Sequence, residues 1–367
     1  NGLKSAGIQE YKCRSCGKKF TRFTGTFLEK AKYNWDIWVE FIYMVMNNFS
    51  LERIKQNLED DFDCMGIDIK TVWNWRHKLM ATAMEAPLPK LQGIVEIDET
   101  HIHEAQKGSR NLVNLYDADL ERKPRKRKTA AKYGVMGAEF VTIICALDQD
   151  GRVAAKVSGL GKFDLEAFEK LLRNEISDCS LLCTDHNGVY KKYSYKWNII
   201  HYVRPSDYLK KIEGKTEEEL KEMYENGEID FVTNRFSKFT YNQLKEFKEK
   251  NRLGLSRVNQ FHSEFKLELV ALPRGVNAQY IEEYTAWKCL LRNKGVELGR
   301  KLTTKDDAAI ILKYLLEVQT NPLIKEIVSK DVLDLPKPSK VFLTRLQENT
   351  DIVRTTRHKG FVYDTET

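Results

Sequence analysis

The pattern of apolar and polar residues divides the chain into regions with different periodicity. Residues 1–28 are short and polar, and residues 29–84 carry apolar positions at helical spacing. Residues 93–302 alternate strand-like apolar runs with helical ones, after a linker marked by two prolines. Residues 303–367 combine an amphipathic stretch with a basic tail. The pattern therefore predicts a helical domain followed by an α/β domain.

Three helices are predicted in residues 29–84. The first follows an apolar stripe, the second begins after Ser50, whose hydroxyl can cap it, and the third begins near Thr71. On the third helix Trp73 and Leu79 are expected to pack inward, which leaves a polar set free, namely Asn74, Arg76, His77 and Lys78. An apolar seam with such an open face is typical of a helix-turn-helix recognition helix. The alternative is an ordinary three-helix bundle with a polar outer face.

A mixed α/β sheet is predicted in residues 93–302. Strand-like runs lie at 94–98, 140–147, 152–158, 180–184 and 198–203, with helices after Asp164 and near 188–196. If the helical crossover is right-handed, the run ending at Asp185 lies parallel beside the run ending at Asp98. Residues 207–250 are charged and helical, and they are expected to form an insertion outside the sheet.

Asp98 and Asp185 each end a short apolar run, and this placement indicates metal chemistry. A buried strand rarely carries a lone aspartate at its tip unless negative charge is needed there. The alternative is two aspartates that cap turns. Glu96 shares a strand face with Asp98 by the period of two, and Glu99 is adjacent to it. Either glutamate could assist the metal site, but both are interpreted here as surface acids at a strand end.

Residues 257–266 offer a second group of chemical side chains. If they are helical, Asn259, His262 and Lys266 lie on one face, while Glu264 points away. An amide, an imidazole and an ammonium side by side are unusual for a core face. The alternative is a polar helix face with a satisfied histidine.

Composition and charge narrow the class of protein. The 367 residues contain seven cysteines at irregular spacing, which favours a reducing, cytoplasmic compartment over a disulfide framework. No 18-residue apolar run or signal-peptide pattern is present, so no membrane partner is expected. The net charge is +7, and six basic residues fall within 121–128, including Arg125, Lys126, Arg127 and Lys128. Such a loop can follow a phosphate backbone, although a solvated loop is the alternative.

A Cys-x-x-Cys pair near the start of the chain, Cys13 and Cys16, is typical of half a zinc knuckle. Tetrahedral zinc takes four ligands, and no second cysteine pair lies nearby. We expect the partner half to lie upstream of Asn1, because the Cys-Gly-Lys-Lys context is that of a zinc ribbon; the alternative is that the zinc site is absent. A redox pair is the weaker alternative.

Together these motifs resemble the bacterial insertion-sequence transposases with an N-terminal zinc ribbon, the IS fifteen-ninety-five group (ISXO-like transposase domain). The resemblance covers about residues 11–292. It is carried by the motifs at 11–26, 71–78, 95–100, 184–185, 258–263 and 274–280, followed by Trp287. It implies a ribonuclease H-like catalytic domain of the DDE type, with Asp98 and Asp185 as the first two metal ligands.

The resemblance leaves the third ligand open. In this group an asparagine followed seven residues later by lysine can replace the third acid, as Asn259 and Lys266 do, and other members carry glutamate where His262 stands. Asn259 and His262 are therefore both candidates, and Glu264 is a less favoured one. An asparagine offers a carbonyl oxygen, whereas a histidine nitrogen suits Mn²⁺ or Zn²⁺ better than Mg²⁺.

The resemblance also implies a function. The chain would bind the double-stranded ends of an insertion sequence and would cleave and join DNA with two Mg²⁺ or Mn²⁺ ions. Zn²⁺ would bind at Cys13 and Cys16, and a homodimer or higher oligomer would hold two DNA ends in the bacterial nucleoid. The alternative is a transposase-derived DNA-binding protein with a weakened or inactive catalytic site.

Overall fold

A computed structural model describes residues 2–3, 8–62, 64–106, 108–117, 119–125, 131–234, 238–271, 276–339 and 342–345. Two parts of the sequence analysis lie outside the described residues. These are the basic residues Lys126, Arg127 and Lys128, and the tail beyond residue 345.

The described strands and helices follow the predicted order. The strands are β1 (Gly2–Leu3), β2 (Gln9–Lys12), β3 (Lys19–Phe20), β4 (Gln92–His103), β5 (Leu112–Val113), β6 (Glu121–Arg122), β7 (Phe140–Asp148), β8 (Val153–Leu160), β9 (Asp178–Thr184), β10 (Ile200–Val203) and β11 (Phe231–Thr233). The helices are α1 (Trp35–Met46), α2 (Leu51–Phe62), α3 (Ile69–Met84), α4 (Leu165–Leu172), α5 (Gly188–Trp197), α6 (Tyr208–Ile212), α7 (Glu217–Glu225), α8 (Tyr241–Asn251), α9 (Ser256–Ala271), α10 (Ile281–Glu297), α11 (Lys305–Glu317) and α12 (Ile324–Ser329). Short 3-10 turns lie at Gly134–Met136, Ala278–Tyr280 and Val332–Asp334.

A six-stranded mixed sheet organises the α/β part of the chain. Its strand order is β11-β10-β9-β4-β7-β8. Strand β4 pairs antiparallel with β7 and parallel with β9, and β9 pairs parallel with β10. The predicted mixed α/β sheet is confirmed, and so is the parallel placement of the two runs that carry Asp98 and Asp185.

Two predictions about this sheet are wrong. Asp98 does not end its strand, because β4 continues to His103 in full register with β7. The insertion at 207–250 does not lie wholly outside the sheet, because β11 pairs antiparallel with β10 at its edge. The physical reason is the short apolar run in β11, whose Val232 is fully buried against the sheet core.

Helices α1, α2 and α3 form a helical core that extends beyond the predicted domain. Phe41 of α1 and Leu312 of α11 are fully buried in one cluster, so the C-terminal part of the chain completes the N-terminal helices. Helix α10 joins this cluster to the sheet. Its Trp287 packs in the helical core, and its Cys289 packs in the sheet core.

The predicted open face of α3 is wrong for Arg76 and His77. Helices α10 and α12 pack on α3, and Arg76 and His77 are only 6% and 2% exposed. The Arg76 guanidinium donates a hydrogen bond to the Phe49 carbonyl, and the His77 ring lies 4.4 Å from the ring of Tyr280. A helical wheel cannot distinguish a face that meets solvent from one that meets another helix. Asn74 and Lys78 are half-buried.

Each described helix is too short or too polar to cross a membrane.

The shared helical core predicts that two alanine substitutions in α11 differ in their effect on the free energy of unfolding. We expect Leu312→Ala to lower the free energy of unfolding by about 2–5 kcal/mol, because it empties a fully buried site. Ile310→Ala on the same helix removes a side chain that is 36% exposed, and it should change stability by less than about 1 kcal/mol. Chemical denaturation measures both. Equal losses for the two variants would contradict the packing of α11 on α1.

Candidate metal centre

Three carboxylates converge where β4 passes the end of β9. The parallel register pairs Glu96 with Cys183, so two further residues bring Asp98 opposite Asp185. Carboxylate oxygens of Asp98, Glu99 and Asp185 all lie within 4.8 Å of one another. The structure therefore brings together the two aspartates that the sequence analysis paired, and it adds Glu99.

Glu99 is the residue that the sequence analysis missed. By strand alternation it faces away from Asp98, toward helix α5. There the Tyr190 hydroxyl donates to Glu99 Oε2 at 2.6 Å, and Asn187 Nδ2 donates to Glu99 Oε1 at 3.0 Å. Since β9 ends at Thr184, the glutamate can turn past the end of that strand toward Asp185. Its position directly after Asp98 was the single signal in the sequence.

The carboxylate cluster is electrostatically unfavourable without a cation. Burial, followed by the nearby charges of Glu99 and Asp185, raises the pKa of Asp98 to about 7. Burial and Glu99 also raise the pKa of Asp185. The positive charge of Lys266 lowers the pKa of Asp98 but does not offset the increase. A set of converging carboxylate oxygens with excess negative charge fits Mg²⁺ or Mn²⁺, which prefer oxygen ligands.

Asp185 is fixed by the chain around it. The Asn187 backbone N–H donates to Asp185 Oδ1 at 2.9 Å, and the Thr184 hydroxyl donates to the Asp185 carbonyl at 2.8 Å. The His201 ring of β10 bonds to the Thr184 hydroxyl at 2.7 Å and to the Ser194 hydroxyl at 3.1 Å. Burial lowers the pKa of His201 to about 3, so this ring is neutral and serves as a structural link.

Helix α9 brings His262 to the cluster. His262 Nδ1 lies 3.8 Å from Asp98 Oδ2, too far for a hydrogen bond, and Nε2 has no hydrogen-bond partner among the described residues. Burial, with the charge of Lys266, lowers the pKa of His262 to about 4, so the imidazole is neutral near pH 7. A neutral imidazole is the form that can ligate a metal.

The other candidates on α9 differ in their surroundings. The Lys266 side chain is exposed, but its charge reaches both Asp98 and His262. Asn259 is also exposed, and no hydrogen bond from its amide to the carboxylates is found in the described part of the chain. Glu264 faces away, as expected, and accepts from Gln260 at 2.9 Å and from Arg292 at 3.3 Å.

Glu96 anchors α9 to the strand that carries Asp98. Its side chain is 2% exposed, so the interpretation of Glu96 as a surface acid is wrong. Glu96 Oε2 accepts from the backbone N–H groups of Arg257 at 2.7 Å and Val258 at 3.0 Å, and Oε1 accepts from the Arg257 guanidinium at 2.7 Å. The carboxylate thus caps the N-terminus of α9 from a neighbouring strand, where negative charge is favoured.

The N-terminal cysteine pair lies in the turn of a hairpin. Strands β2 and β3 pair antiparallel, and the turn closes with a hydrogen bond from the Cys13 N–H to the Lys18 carbonyl at 2.8 Å. Hydrogen bonds from Ser15 and Cys16 lower the pKa of Cys13 to about 6, which favours the thiolate that zinc binds. Cys16 is exposed. Two thiols are half of a tetrahedral donor set.

Arg125 is the one residue that the structure describes among the four candidates for phosphate contact, Arg125, Lys126, Arg127 and Lys128. Its guanidinium donates to the Glu139 carbonyl at 3.3 Å and lies 5.8 Å from the centroid of the Phe140 ring. Arg125 is therefore held against the start of β7.

Comparison with known proteins gives one distant relation. No protein-family model matches the chain. Over 102 residues the chain is 30% identical to a protein of Halobacterium salinarum described as an uncharacterized protein in transposable element ISH50. The match covers 28% of this chain and 32% of the relative, so the chain spans about a third of the relative's length. The chain is thus similar over part of its length to a protein of a transposable element, and the similarity supports no finer assignment.

The carboxylate cluster predicts a divalent-cation site. We expect Mg²⁺ or Mn²⁺ to raise the melting temperature. At a free cation concentration of about 100 times Kd, binding should add about 2.7 kcal/mol to the free energy of unfolding. Asp185→Asn should abolish the increase, because it removes a central ligand. Asp178→Asn, at the exposed opposite end of β9, should retain the increase in melting temperature.

The affinity for the cation should fall as the pH drops from 8 to 6, since protons compete at Asp98, whose pKa is raised to about 7. Cation titrations monitored by thermal unfolding measure both effects, and a pH-independent affinity would contradict the site.

The Glu96 anchor predicts a local loss of stability. Glu96→Gln should cost about 1.5–3 kcal/mol, because it weakens three charge-assisted hydrogen bonds at a buried helix start. Hydrogen exchange should rise first at the N-terminus of α9. Glu264→Gln, about two turns further along the same helix, is the control; it changes a half-buried carboxylate outside the Glu96 anchor and should leave exchange at the N-terminus of α9 unchanged. Unchanged exchange in Glu96→Gln would show that other contacts hold α9.

Proposed function

We propose that the chain is a transposase, one that binds the ends of an insertion sequence and carries out metal-dependent DNA cleavage and strand transfer. The observation that carries the proposal is the convergence of Asp98, Glu99 and Asp185 beside β4 and β9. The similarity to a protein of a transposable element supports the same class.

A ribonuclease H-like fold for the catalytic domain is part of the proposal. Strands β4, β7 and β8 form an antiparallel meander, and β9 and β10 then follow in parallel on the other side of β4. This order supports that fold. It also leaves the end of β9 free to place a carboxylate beside the middle of β4.

The chemistry assigns distinct roles to the side chains around the cluster. In the proposed reaction an oxygen attacks phosphorus in line, and the opposite oxygen leaves. Asp98, Glu99 and Asp185 would hold Mg²⁺ or Mn²⁺, which when bound activates the attacking oxygen and stabilises the leaving one. Lys266 provides a positive charge for a DNA phosphate without acting as a base.

Glu99 is the proposed third acid of the site. Its oxygens lie with those of the two aspartates, whereas Asn259 is exposed and is the weaker candidate. His262 is close enough to Asp98 to serve as an additional ligand after a small shift of its ring. With Glu99 included, the site regains the negative charge that a neutral third ligand would remove.

DNA binding is proposed for the N-terminal part of the chain. The hairpin with Cys13 and Cys16 would hold Zn²⁺ together with ligands from a partner half. Helix α3 presents Lys70 as exposed and Asn74 as half-buried near its start, and both are suitable for contacts with double-stranded DNA. Joining two DNA ends requires that they be held together, so a homodimer or higher oligomer on DNA belongs to the proposal.

The test separates catalysis from binding. We expect Asp98→Ala and Asp185→Ala to lower Mg²⁺- or Mn²⁺-dependent nicking of element-end DNA by at least about 100-fold, because each removes a metal ligand. Binding of the same DNA, measured by gel shift, should be retained. Asp178→Ala is the matched control and should nick normally.

Two outcomes would contradict the proposal. Absence of nicking by the unaltered chain with either ion would favour a transposase-derived DNA-binding protein with an inactive site. Loss of DNA binding together with nicking in both variants would show that the carboxylates do not act separately from DNA recognition.

A further inference from the structure

A cavity of about 420 Å³ lies between the segment before α1 and the first turns of α3. Its volume is within the range of sites for small organic ligands. We propose that this cavity receives the base of an unpaired DNA nucleotide, an inference that rests on the proposed DNA-binding function. The cavity is remote in sequence from the carboxylate cluster, and it requires none of the cluster residues.

Aromatic rings form one wall of the cavity. Trp75 lies 4.4 Å from Trp38 and 5.2 Å from Tyr33 between ring centroids, and all three line the space. Tyr33 and Trp75 are only half-buried, so part of each ring remains accessible. Bases stack on such rings without strong sequence preference, because every base has an aromatic face.

An unused hydrogen-bond donor lies in the same wall. Trp38 is 4% exposed, and its Nε1–H has no hydrogen-bond partner among the described residues. Leaving such a buried group unpaired costs about 1–3 kcal/mol. The Nε1 atom is enclosed by its neighbours, so the acceptor nitrogens and oxygens of a nucleobase would reach it only after the Trp38 ring shifts toward the cavity.

Charges around the cavity suit a nucleotide. Lys30 and Lys32 are exposed at its edge and can contact phosphate. Lys78 lies deeper, and its ammonium donates to Asn321 Oδ1 at 2.8 Å. Asp68 also lines the cavity, and its carboxylate makes no capping bond to α3, so it can accept from an exocyclic amino group. The remaining acid, Glu29, already accepts from the Asn321 amide at 3.2 Å.

The position of the cavity links it to DNA. Thr71, in the first turns of α3, lines the cavity, and α3 is the helix that the proposed function places on DNA. A duplex that lies against this helix would bring a frayed or displaced base within reach of the aromatic wall. An unpaired base costs the least to insert there, because its stacking and pairing are already lost.

A fluorescent strand tests this assignment in the full chain. The probe is a five-nucleotide thymidine strand with 2-aminopurine at its centre, and its counterpart has an abasic site there. We expect binding to quench the 2-aminopurine emission. Trp75→Leu should weaken binding about 5- to 150-fold, the range for one stacked base. Trp197→Leu, which removes an exposed tryptophan of α5, should behave like the unaltered chain.

A variant at the surface tests the assignment even if Trp75→Leu fails to fold. Lys32→Ala changes an exposed side chain, and it should reduce affinity for both strands to a similar extent, because the abasic strand keeps every phosphate, while bound 2-aminopurine is still quenched. Equal affinity of the unaltered chain for both strands, or no effect of either variant, would overturn the assignment.

The nicking assay keeps this inference distinct from the proposed function. A chain that nicks DNA but does not quench 2-aminopurine would overturn the cavity assignment alone. A chain that quenches the probe but nicks with neither ion would overturn the catalytic proposal and support the cavity.

Discussion

The carboxylate of Glu96 holds together the two elements that carry the candidate site. It lies on β4, two residues before Asp98, and it accepts the first free N–H groups of α9. Two residues of strand advance about 6.6 Å, and the four residues from Val258 to His262 advance about 6 Å along the helix. The common origin at Glu96 therefore brings His262 level with Asp98, as their 3.8 Å separation shows.

The contacts around the cluster explain how the fold tolerates three carboxylates that repel one another. Three carboxylates at the end of a central strand oppose folding when no cation is present, and the raised pKa values of Asp98 and Asp185 express that cost. The elements around them are held by independent contacts, which include the buried Tyr190 hydroxyl on Glu99 and the His201 link behind Asp185. Functional sites commonly violate local rules in this way and depend on a well-packed surround.

The sequence predicted the positions of strands and helices better than the contacts that their side chains make. Alternation and helical stripes located five of the six strands of the main sheet and the first three helices, and the parallel placement of β4 and β9 followed from chain order. Glu96 was misjudged because its partners lie 161 and 162 residues away, on a helix whose docking no local pattern encodes. Glu99 was misjudged because strand alternation assigns it to the face opposite Asp98. Since β9 ends at Thr184, the Glu99 side chain can nevertheless reach Asp185.

Helix α3 also shows that local sequence patterns do not encode long-range packing. Its polar residues fit a recognition helix by spacing alone, yet α10 and α12 bury Arg76 and His77. The physical distinction between a face for DNA and a face for another helix depends on residues about 200 positions later in the chain.

Helix α10 sets the relation between the proposed DNA-binding and catalytic parts. Trp287 belongs to the helical core, and Cys289, two residues on, belongs to the sheet core. A continuous helix shared by two packed cores leaves little freedom for one to rotate against the other. In the proposed function, DNA held on α3 would therefore meet the carboxylates along a path fixed by the fold, and specificity for cleavage position would follow from the length of that path.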